Sequence, residues 1–290
     1  MEEVNILAED GLSLSCLYSK VDDAKALVQI MHGMSEHKER YIDLIKILNL
    51  NGYSVIISDT RGHGKSINDK YPLGHIDSIE QLVEDQMKIT NYIKKDNPGK
   101  DLYVFSHSFG TCISRNYLIK HDNEVNKLIL SGTVGYNSGC KLGIKIGKKK
   151  MKKDIYQPSK LLFSFTNNLS FKEDFNWLSY NEENIKKYIE DPLCGFQFDV
   201  SGYYTLFQSV KNLKDIKLYE CKNPTLKILS ISGQDDRTTL HTKGLKKTIK
   251  FLNEIGYKNA SFIEYPKMKH EILFEKENDI VLKDILNFYA

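Results

Sequence analysis

One stretch of the chain, 101–121, predicts a buried strand, a sharp turn and a helix in immediate succession. The apolar run LYVF is typical of a strand, and the residues after the turn have helical spacing. Between them lies SHSFG, residues 106–110, a close variant of the G-x-S-x-G nucleophile elbow. That elbow holds its central serine in a strained turn, with the hydroxyl exposed above the sheet edge. Ser108 is therefore the candidate nucleophile, with His107 and Gly110 as supporting residues of the turn.

A nucleophilic serine needs partners, and an early loop supplies candidates for one of them. A histidine must take the serine proton, a carboxylate must orient that histidine, and backbone N–H groups must meet the oxyanion. The oxyanion loop is expected first in the chain, and an apolar strand at 26–30 runs into His32, Gly33 and Met34. Gly33 permits an unusual backbone direction, and His32 is expected to orient the loop. The N–H groups of Met34 and Phe109 are the candidate oxyanion donors.

The candidate acid and base come after two late strands. The first of these strands runs into Asp235 and Asp236, which compete for the role of the acid. Asp236 is favoured because it lies three residues past Gly233, a spacing common at this point in such folds. The last predicted strand is followed by His270, the candidate base, which precedes the C-terminal helix. Three other histidines are expected at the surface: His75, His121 and His241.

The alternation of strands and helices predicts the fold class. An antiparallel hairpin turning at Asp10-Gly11 opens the chain, and short apolar strands then alternate with helices. This pattern favours an α/β fold, with a mostly parallel sheet of eight strands and helices on both faces. The predicted strands are 4–7, 12–18, 26–30, 54–58, 102–105, 127–131, 225–231 and 260–265. The predicted helices outside the insertion described next are 41–50, 78–95, 111–120 and 277–288.

The alternation breaks over 136–219, which is too long for one connection between a strand and a helix. Helical spacing at 181–190 and 203–212 predicts a helical cap inserted into a core of 1–135 and 220–290. A cap over the serine would form a mostly apolar pocket, and the insertion is rich in aromatic residues. These are Phe163, Phe165, Phe171, Phe175, Trp177, Phe196, Phe198, Tyr203, Tyr204 and Phe207.

Motifs along nearly the whole chain resemble those of one known family. They are HGMSEH with Arg-Tyr at 32–41, DTRGHGKS at 59–66, WLS at 177–179, DPLCGF at 191–196, and the Tyr265–Glu271 segment around the candidate base. Together they resemble the monoacylglycerol lipase and lysophospholipase group of the α/β-hydrolase superfamily. The resemblance implies the α/β-hydrolase fold, a helical cap, and a serine hydrolase acting on ester bonds of monoacyl lipids without a metal or organic cofactor.

One departure from the family pattern keeps alternatives open. The elbow usually begins with glycine, and here it begins with Ser106, the next size up after alanine. We expect the elbow to survive, although the change leaves room for altered geometry or a lower rate. The alternatives are a short-chain carboxylesterase, a proline-type aminopeptidase on the same fold, and a non-catalytic protein that binds a lipid or a partner protein.

Composition excludes several classes of protein. The 41 Lys and Arg residues nearly balance the 38 Asp and Glu residues, so the net charge of +3 argues against a nucleic-acid binder. The five widely spaced cysteines form neither a metal-type pair nor a disulfide framework. The first residues lack the basic and apolar regions of a signal peptide, which predicts a cytoplasmic protein.

A lysine-rich stretch, 141–153, has two interpretations. Its apolar interruptions would suit a transient contact of the cap with an anionic membrane surface. The favoured interpretation is a mobile, solvated lysine face at Lys148–Lys153, because Gly143 and Gly147 weaken a stable helix.

Overall fold

The computed structural model describes residues 1–166 and 175–290 and has an eight-stranded sheet at its centre. The strands are β1 (Glu2–Leu7), β2 (Ser13–Ser19), β3 (Ala26–Met31), β4 (Tyr53–Ser58), β5 (Leu102–His107), β6 (Lys127–Ser131), β7 (Lys227–Gly233) and β8 (Asn259–Tyr265). Their order across the sheet is β1-β2-β4-β3-β5-β6-β7-β8. β2 is antiparallel to its neighbours β1 and β4. All other neighbouring strands in this order, from β4 through β3 to β8, are parallel. All eight predicted strands are found, each within two residues of its predicted bounds.

Helices flank the sheet and fill the long insertion. They are α1 (Ile42–Leu50), α2 (Ile79–Asp96), α3 (Phe109–His121), α4 (Gly139–Met151), α5 (Lys160–Thr166), α6 (Glu182–Glu190), α7 (Val200–Asn212), α8 (His241–Ile255) and α9 (Asp279–Tyr289). Short 3₁₀ turns occur at Lys38–Tyr41, Asp122–Glu124, Ile216–Leu218 and Ile272–Phe274. Within the described ranges, no helix is both long and apolar enough to cross a bilayer.

The central strands bury both of their faces, as the near-continuous apolar sequence predicts. Val104 and Leu128 point into one apolar core, which also contains residues of α2, α3 and α7. Their neighbours Phe105 and Ile129 point into the opposite core, which contains residues of α1 and α9. Successive side chains of a strand face opposite sides, so one short apolar run supplies both cores. The carboxyl ends of these strands then carry the loops from which the candidate site is built.

The segment between β6 and β7, residues 132–226 and called here the β6–β7 segment, contains α4 to α7. The lysine stretch, where two glycines were expected to weaken a stable helix, forms the helix α4 over Gly139–Met151. Gly143 and Gly147 are buried where α4 packs on α7. A Cβ atom at Gly143 would lie 2.6 Å from the Phe207 ring, so the glycine permits the close approach of the two helices. Of the aromatic residues named above, Phe171 lies outside the described residues.

His75 was expected at the surface, and this was wrong. Its ring is fully buried, between Asp77 on one side and Asp199 of the β6–β7 segment on the other, and both carboxylates hydrogen-bond it. Burial alone would lower the pKa of His75, but these two carboxylates raise it above its ordinary value. A histidine can be buried here because both of its ring nitrogens are satisfied. His241 is exposed as expected, and His121 is half-buried.

Candidate active site

The turn between β5 and α3 has the geometry of a nucleophile elbow. Ser108 has φ 50° and ψ −118°, a strained conformation for a residue with a side chain. The turn also requires Gly110, because a Cβ atom there would lie 2.1 Å from the Met31 carbonyl oxygen. α3 begins at Phe109, directly after Ser108. The structure thus holds the predicted nucleophile in the conformation that its role requires.

Ser106, which stands where the family has glycine, is accommodated without disturbing the elbow. Its side chain is fully buried and points away from the turn. The Oγ atom lies 2.9 Å from Ser114 Oγ on α3 and donates to the Ile129 carbonyl oxygen at 3.0 Å. A buried hydroxyl with two partners costs little, because its desolvation is offset by hydrogen bonds.

His270 and Asp236 form a buried hydrogen-bonded pair beside the elbow. Nδ1 of His270 lies 2.9 Å from Oδ2 of Asp236. Burial alone would lower the pKa of His270 and raise the pKa of Asp236. Each partner, however, favours the charged form of the other. The pKa of His270 is therefore raised, and the pKa of Asp236 is lowered. Nε2 of His270 is buried and has no hydrogen-bond partner among the described residues. A histidine fixed at Nδ1 with an unpaired Nε2 is ready to accept a proton at that atom.

The structure separates the two competing aspartates. Asp236 is fully buried, whereas Asp235 is exposed and accepts a hydrogen bond from the Tyr180 hydroxyl. Thr238, which we did not predict, donates from its backbone N–H and its Oγ1 to Oδ1 of Asp236, at 2.8 and 2.7 Å. The signal for it was an aspartate followed two residues later by threonine, a spacing that favours side chain to backbone hydrogen bonds.

The predicted oxyanion loop lies against the elbow. A Cβ atom at Gly33 would lie 3.0 Å from Ser108 Cβ, so only glycine allows this close approach. The N–H groups of Met34 and Phe109 donate to no other residue in the described part of the chain, and both residues line the cavity next to Ser108. His32 braces the loop, since its Nε2 accepts from the Thr60 N–H at 2.8 Å.

Behind this loop lies a buried network of charges that joins three parts of the chain. Arg40 donates to Glu36 of the oxyanion loop at 2.7 Å and, through two nitrogens, to Glu271 next to His270, at 2.7 and 2.9 Å. Asn184 on α6 donates to Glu271 at 2.6 Å. Burial would raise the pKa of Glu36, but Arg40 and the neighbouring His107 hold it at about 2. The network therefore fixes the oxyanion loop and the His270 loop relative to each other.

Two rings flank the candidate base. The ring centroids of His107 and His270 are 4.8 Å apart, and those of Trp177 and His270 are 5.0 Å apart. Burial and the charge of His270 lower the pKa of His107 to about 4, so His107 is neutral at pH 7. It fits the supporting position predicted for it. The role of Trp177 was not predicted, because nothing in its sequence spacing places it against His270.

A cavity of about 350 Å³ opens over Ser108 and His270. The β6–β7 segment supplies most of its wall, including Phe163 of α5 and Leu206 of α7. Further apolar and aromatic side chains in the wall are Phe165, Phe175, Trp177, Leu178, Tyr188, Phe196, Phe207 and Val210. Phe198 and Tyr203, also considered above, are buried in the core instead. An apolar cavity with a few polar groups at one end suits a ligand with an acyl chain and a polar reacting group.

One group of side chains has donors of the kind that bind metals. His37, Asp191 and Cys194 each place a ligand-type atom within 4.8 Å of the other two. His37 Nε2 is already hydrogen-bonded to Asp191 at 2.9 Å, and burial raises the pKa of the Cys194 thiol. The hydrogen bond between His37 and Asp191 joins the oxyanion loop to the β6–β7 segment.

Comparisons with known proteins agree with this geometry. Residues 22–277 match the family described as serine aminopeptidase, S33. Phospholipase YtpA of Bacillus subtilis is 27% identical over 91% of this chain and 95% of its own length. The monoacylglycerol lipase of Mycolicibacterium smegmatis is 22% identical over 92% of this chain and 88% of its own length. The monoglyceride lipase of Rattus norvegicus is 27% identical over 80% of this chain and 73% of its own length.

Solved structures confirm the predicted fold. A thermostable carboxyl esterase from Bacillus coagulans superposes with a TM-score of 0.89 at 22% identity, covering 99% of this chain and 97% of that one. A soluble variant of the Saccharomyces cerevisiae monoglyceride lipase superposes with a TM-score of 0.75 at 20% identity. The superposition covers 99% of this chain and 93% of that one. At such identities the likeness establishes the architecture alone. Together with the curated relatives, it confirms the resemblance drawn from the motifs.

Proposed function

Because the chain belongs to the serine aminopeptidase S33 family and has the α/β-hydrolase fold, we propose that it is a serine hydrolase cleaving carboxylic ester bonds of monoacyl lipids. The observation that carries the proposal is the His270–Asp236 pair, whose unpaired Nε2 lies with Ser108 at the wall of one apolar cavity. Monoacylglycerols and lysophospholipids are the substrate classes favoured by the names of the relatives that match most of the chain.

The proposed reaction uses residues of this chain alone. Ser108 Oγ attacks the ester carbonyl carbon while His270 Nε2 takes the hydroxyl proton. The N–H groups of Met34 and Phe109 stabilise the oxyanion, and Asp236 stabilises the imidazolium. His270 then protonates the leaving alcohol, which departs and leaves an acyl-enzyme. Water that gives its proton to His270 attacks the acyl carbon and releases the fatty acid, and the proton returns to Ser108.

Residues 136–219, which lie within the β6–β7 segment, are proposed to act as a helical cap inserted into a core of 1–135 and 220–290. Its apolar wall would bury the acyl chain, and each buried methylene contributes about 0.8 kcal/mol. Chain length is then selected by how many methylenes the cavity of about 350 Å³ admits.

The aminopeptidase alternative is disfavoured by the charges at the cavity. Such an enzyme needs a free carboxylate to hold the amino group of its substrate. Among the described residues that line the cavity, the carboxylates are Glu36 and Glu271, and both are occupied by Arg40.

The first test compares hydrolysis of a monoacylglycerol and a lysophosphatidylcholine with the same acyl chain, by wild type and Ser108→Ala. We expect at least one lipid to be cleaved by wild type, and Ser108→Ala to remain folded with its rate lowered by roughly 10⁶-fold. Retained hydrolysis in the variant contradicts the role of Ser108. Hydrolysis of short esters or aminoacyl amides, with neither lipid cleaved, contradicts the lipid assignment.

Transient contact of α4 with membranes is also proposed, as a route for the substrate from a lipid surface. α4 exposes lysines along one side, and the neighbouring side chains of Leu142 and Leu161 are about half exposed, at 49% and 50%. Lysines near an anionic surface contribute about 1 kcal/mol each. Phe163 and Phe165, on α5 beside it, line the cavity, so a lipid entering here has a short path.

Liposome flotation tests this contact with vesicles that contain anionic lipid. Changing the lysines of 148–153 to Gln should reduce binding, whereas changing Lys243, Lys246, Lys247 and Lys250 on α8 to Gln should leave it unchanged. Equal binding by the first variant and wild type contradicts the membrane contact and leaves the hydrolase proposal untouched.

A further inference from the structure

A second cavity, of about 290 Å³, lies between the end of α7, the residues after it and α8. Apolar and aromatic side chains form most of its wall, among them Tyr136, Leu213, Tyr219 and Phe251. Arg115, a buried residue of α3, also lines it. This cavity takes no part in the reaction described above.

Arg115 differs from the other two buried arginines in having no anionic partner in the described part of the chain. Arg40 is paired with two glutamates, and Arg61 is paired with Asp10 and Asp85. Arg115 is only 4% exposed, and no carboxylate of the described residues forms an ion pair with it. Burial accordingly lowers the pKa of Arg115 from its ordinary value. A buried charge is normally paired or bound to a ligand, because leaving it unpaired is costly.

The hydrogen bonds of Arg115 leave one of its nitrogens free. Nε donates to the Thr111 carbonyl oxygen at 2.8 Å, and Nη2 donates to the Val134 carbonyl oxygen at 2.7 Å. All of these acceptors are uncharged. Nη1 donates to no described residue, so two N–H bonds of a cation are available at the wall of the cavity.

The rim of the cavity is also positively charged. Lys214, Lys247 and Lys250 line it together with Glu254, and Lys250 lies 3.8 Å from that glutamate. Lys214 lies over the Tyr136 ring, 5.0 Å from its centroid. The excess of lysine raises the local concentration of anions at the entrance.

We propose that this cavity binds a small organic anion, with a carboxylate or phosphate oxygen on Nη1 of Arg115 and an apolar body against Tyr219 and Phe251. The apolar wall favours an amphiphilic anion over a bare inorganic one. A volume near 290 Å³ is at the lower end for ligand sites, which limits the body to a medium-length chain or one ring.

The catalytic cavity also offers an apolar wall, and Leu240 lines both cavities. Any test must therefore distinguish the two places. Of these two cavities, Arg115 and Lys247 line only the second, so a loss of binding confined to changes at these residues locates the ligand there.

Calorimetric titration of the full chain with octanoate, octan-1-ol and inorganic phosphate tests the proposal. Octanoate should bind at least about tenfold more tightly than octan-1-ol, because the charged hydrogen bond is lost with the alcohol. Arg115→Met should weaken octanoate binding by roughly tenfold or more. Lys247→Glu should weaken it by about threefold, and the exposed neighbour Lys246→Glu, outside this cavity, should change it less than about twofold.

The outcomes separate the ligand chemistries. Binding of phosphate that depends on Arg115 supports an oxyanion site in which the head group suffices, and binding of octanoate alone supports the amphiphile. Equal affinities for octanoate and octan-1-ol overturn the proposal, as does unchanged octanoate binding in both variants, or no binding of either anion. Circular dichroism shows whether Arg115→Met folds. If it does not, the proposal is still tested by comparing octanoate binding of Lys247→Glu with that of Lys246→Glu, because both lysines are exposed and only Lys247 lines this cavity.

Discussion

At the scale of single residues, neighbouring charges decide the protonation states of the two histidines in contact at the site. Burial lowers the pKa of both His107 and His270. For His270 the carboxylate of Asp236 outweighs burial, so its pKa rises. For His107, burial and the charge of His270 outweigh the more weakly acting Glu36 and Glu271, so its pKa falls to about 4. The result is one ring whose pKa is raised, next to a second ring whose pKa is lowered and which is neutral at pH 7.

Asp236→Asn should move the pH dependence of the reaction. His270 must be neutral to accept a proton, so kcat/KM of wild type should fall as the pH drops through the raised pKa of His270. Removing the carboxylate lowers that pKa, which moves the acidic limb to lower pH. The maximal rate should also fall by roughly 10⁴-fold, since the imidazole loses its orienting partner. The measurement is kcat/KM for a soluble ester between pH 5 and pH 9.

Asp235→Asn is the matched control for this prediction. Asp235 is exposed and contacts Tyr180 instead of His270. The acidic limb of the kcat/KM profile and the maximal rate should therefore both stay as in wild type. The reverse pattern, with Asp235→Asn inactive and Asp236→Asn normal, would contradict the assignment of the acid.

The candidate catalytic residues could be predicted from the sequence because each lies in a local pattern. Ser108 lies in an elbow, and Asp236 and His270 follow strands in the expected order. Thr238 follows Asp236 by two residues, so a local signal for it was present and was not used. Trp177 could not be predicted in the same way, because it contacts His270, which is far away in the chain. Whether a buried arginine is paired depends on the whole packing, which no local spacing reports.

At the scale of helices and strands, the sheet was predicted well and the lysine-rich helices were not. A central strand is apolar on both faces, so its sequence is distinctive. α4 carries glycines at the positions where it contacts α7, which lowers its intrinsic propensity while allowing the helices to approach. Neither α5 nor α8 was predicted. α8 carries many lysines around a narrow apolar stripe containing Leu245 and Leu252.

Gly143→Ala should destabilise the α4–α7 contact. The added Cβ would lie 2.6 Å from the Phe207 ring, and such overpacking costs about 1–3 kcal/mol. Alanine has a better helix propensity than glycine, which stabilises α4 by about 1 kcal/mol. We therefore expect the free energy of unfolding to fall by up to about 2 kcal/mol. Phe207 also lines the catalytic cavity, so KM should rise most for the longest esters in a chain-length series.

Gly139→Ala, in the first turn of the same helix, is the control. Its added Cβ would meet only the side chain of Asn137, at 3.2 Å, so urea denaturation should show a gain of roughly 0.5–1 kcal/mol and KM should not change. A gain of stability in Gly143→Ala as well would show that the contact with α7 adapts.

At the scale of the whole molecule, the β6–β7 segment is attached to the sheet by buried polar contacts as well as by apolar packing. Asn184 reaches Glu271, the His37 ring reaches Asp191, and His75 reaches Asp199. Each of these contacts joins a loop near the carboxyl ends of the strands to the insertion. The position of the segment over the site is therefore set by groups that are costly to leave unpaired.

Arg40→Met should be severely destabilising. It leaves Glu36 and Glu271, each about 2% exposed, without their shared cation, and breaking a buried pair from one side costs about 3–5 kcal/mol. Lys46→Met is the control, because Lys46 pairs with Asp43 at the surface, with exposures of 64% and 90%. It should change stability by less than about 0.5 kcal/mol. Denaturant unfolding of both variants at pH 7 measures the difference, and equal losses would contradict a structural role for the network.

The charge network around Arg40 also determines how large a piece of this protein can be exchanged for engineering. A chimera that replaces only residues 132–226 would keep Arg40, Glu36 and Glu271 while removing Asn184, and it would separate His37 from Asp191. A transplanted insertion would therefore need to bring matching groups at these positions, or its recipient would need new loops at 32–41 and 265–271. The unit to exchange is therefore larger than the inserted segment, and it includes the loops on which the candidate catalytic residues lie.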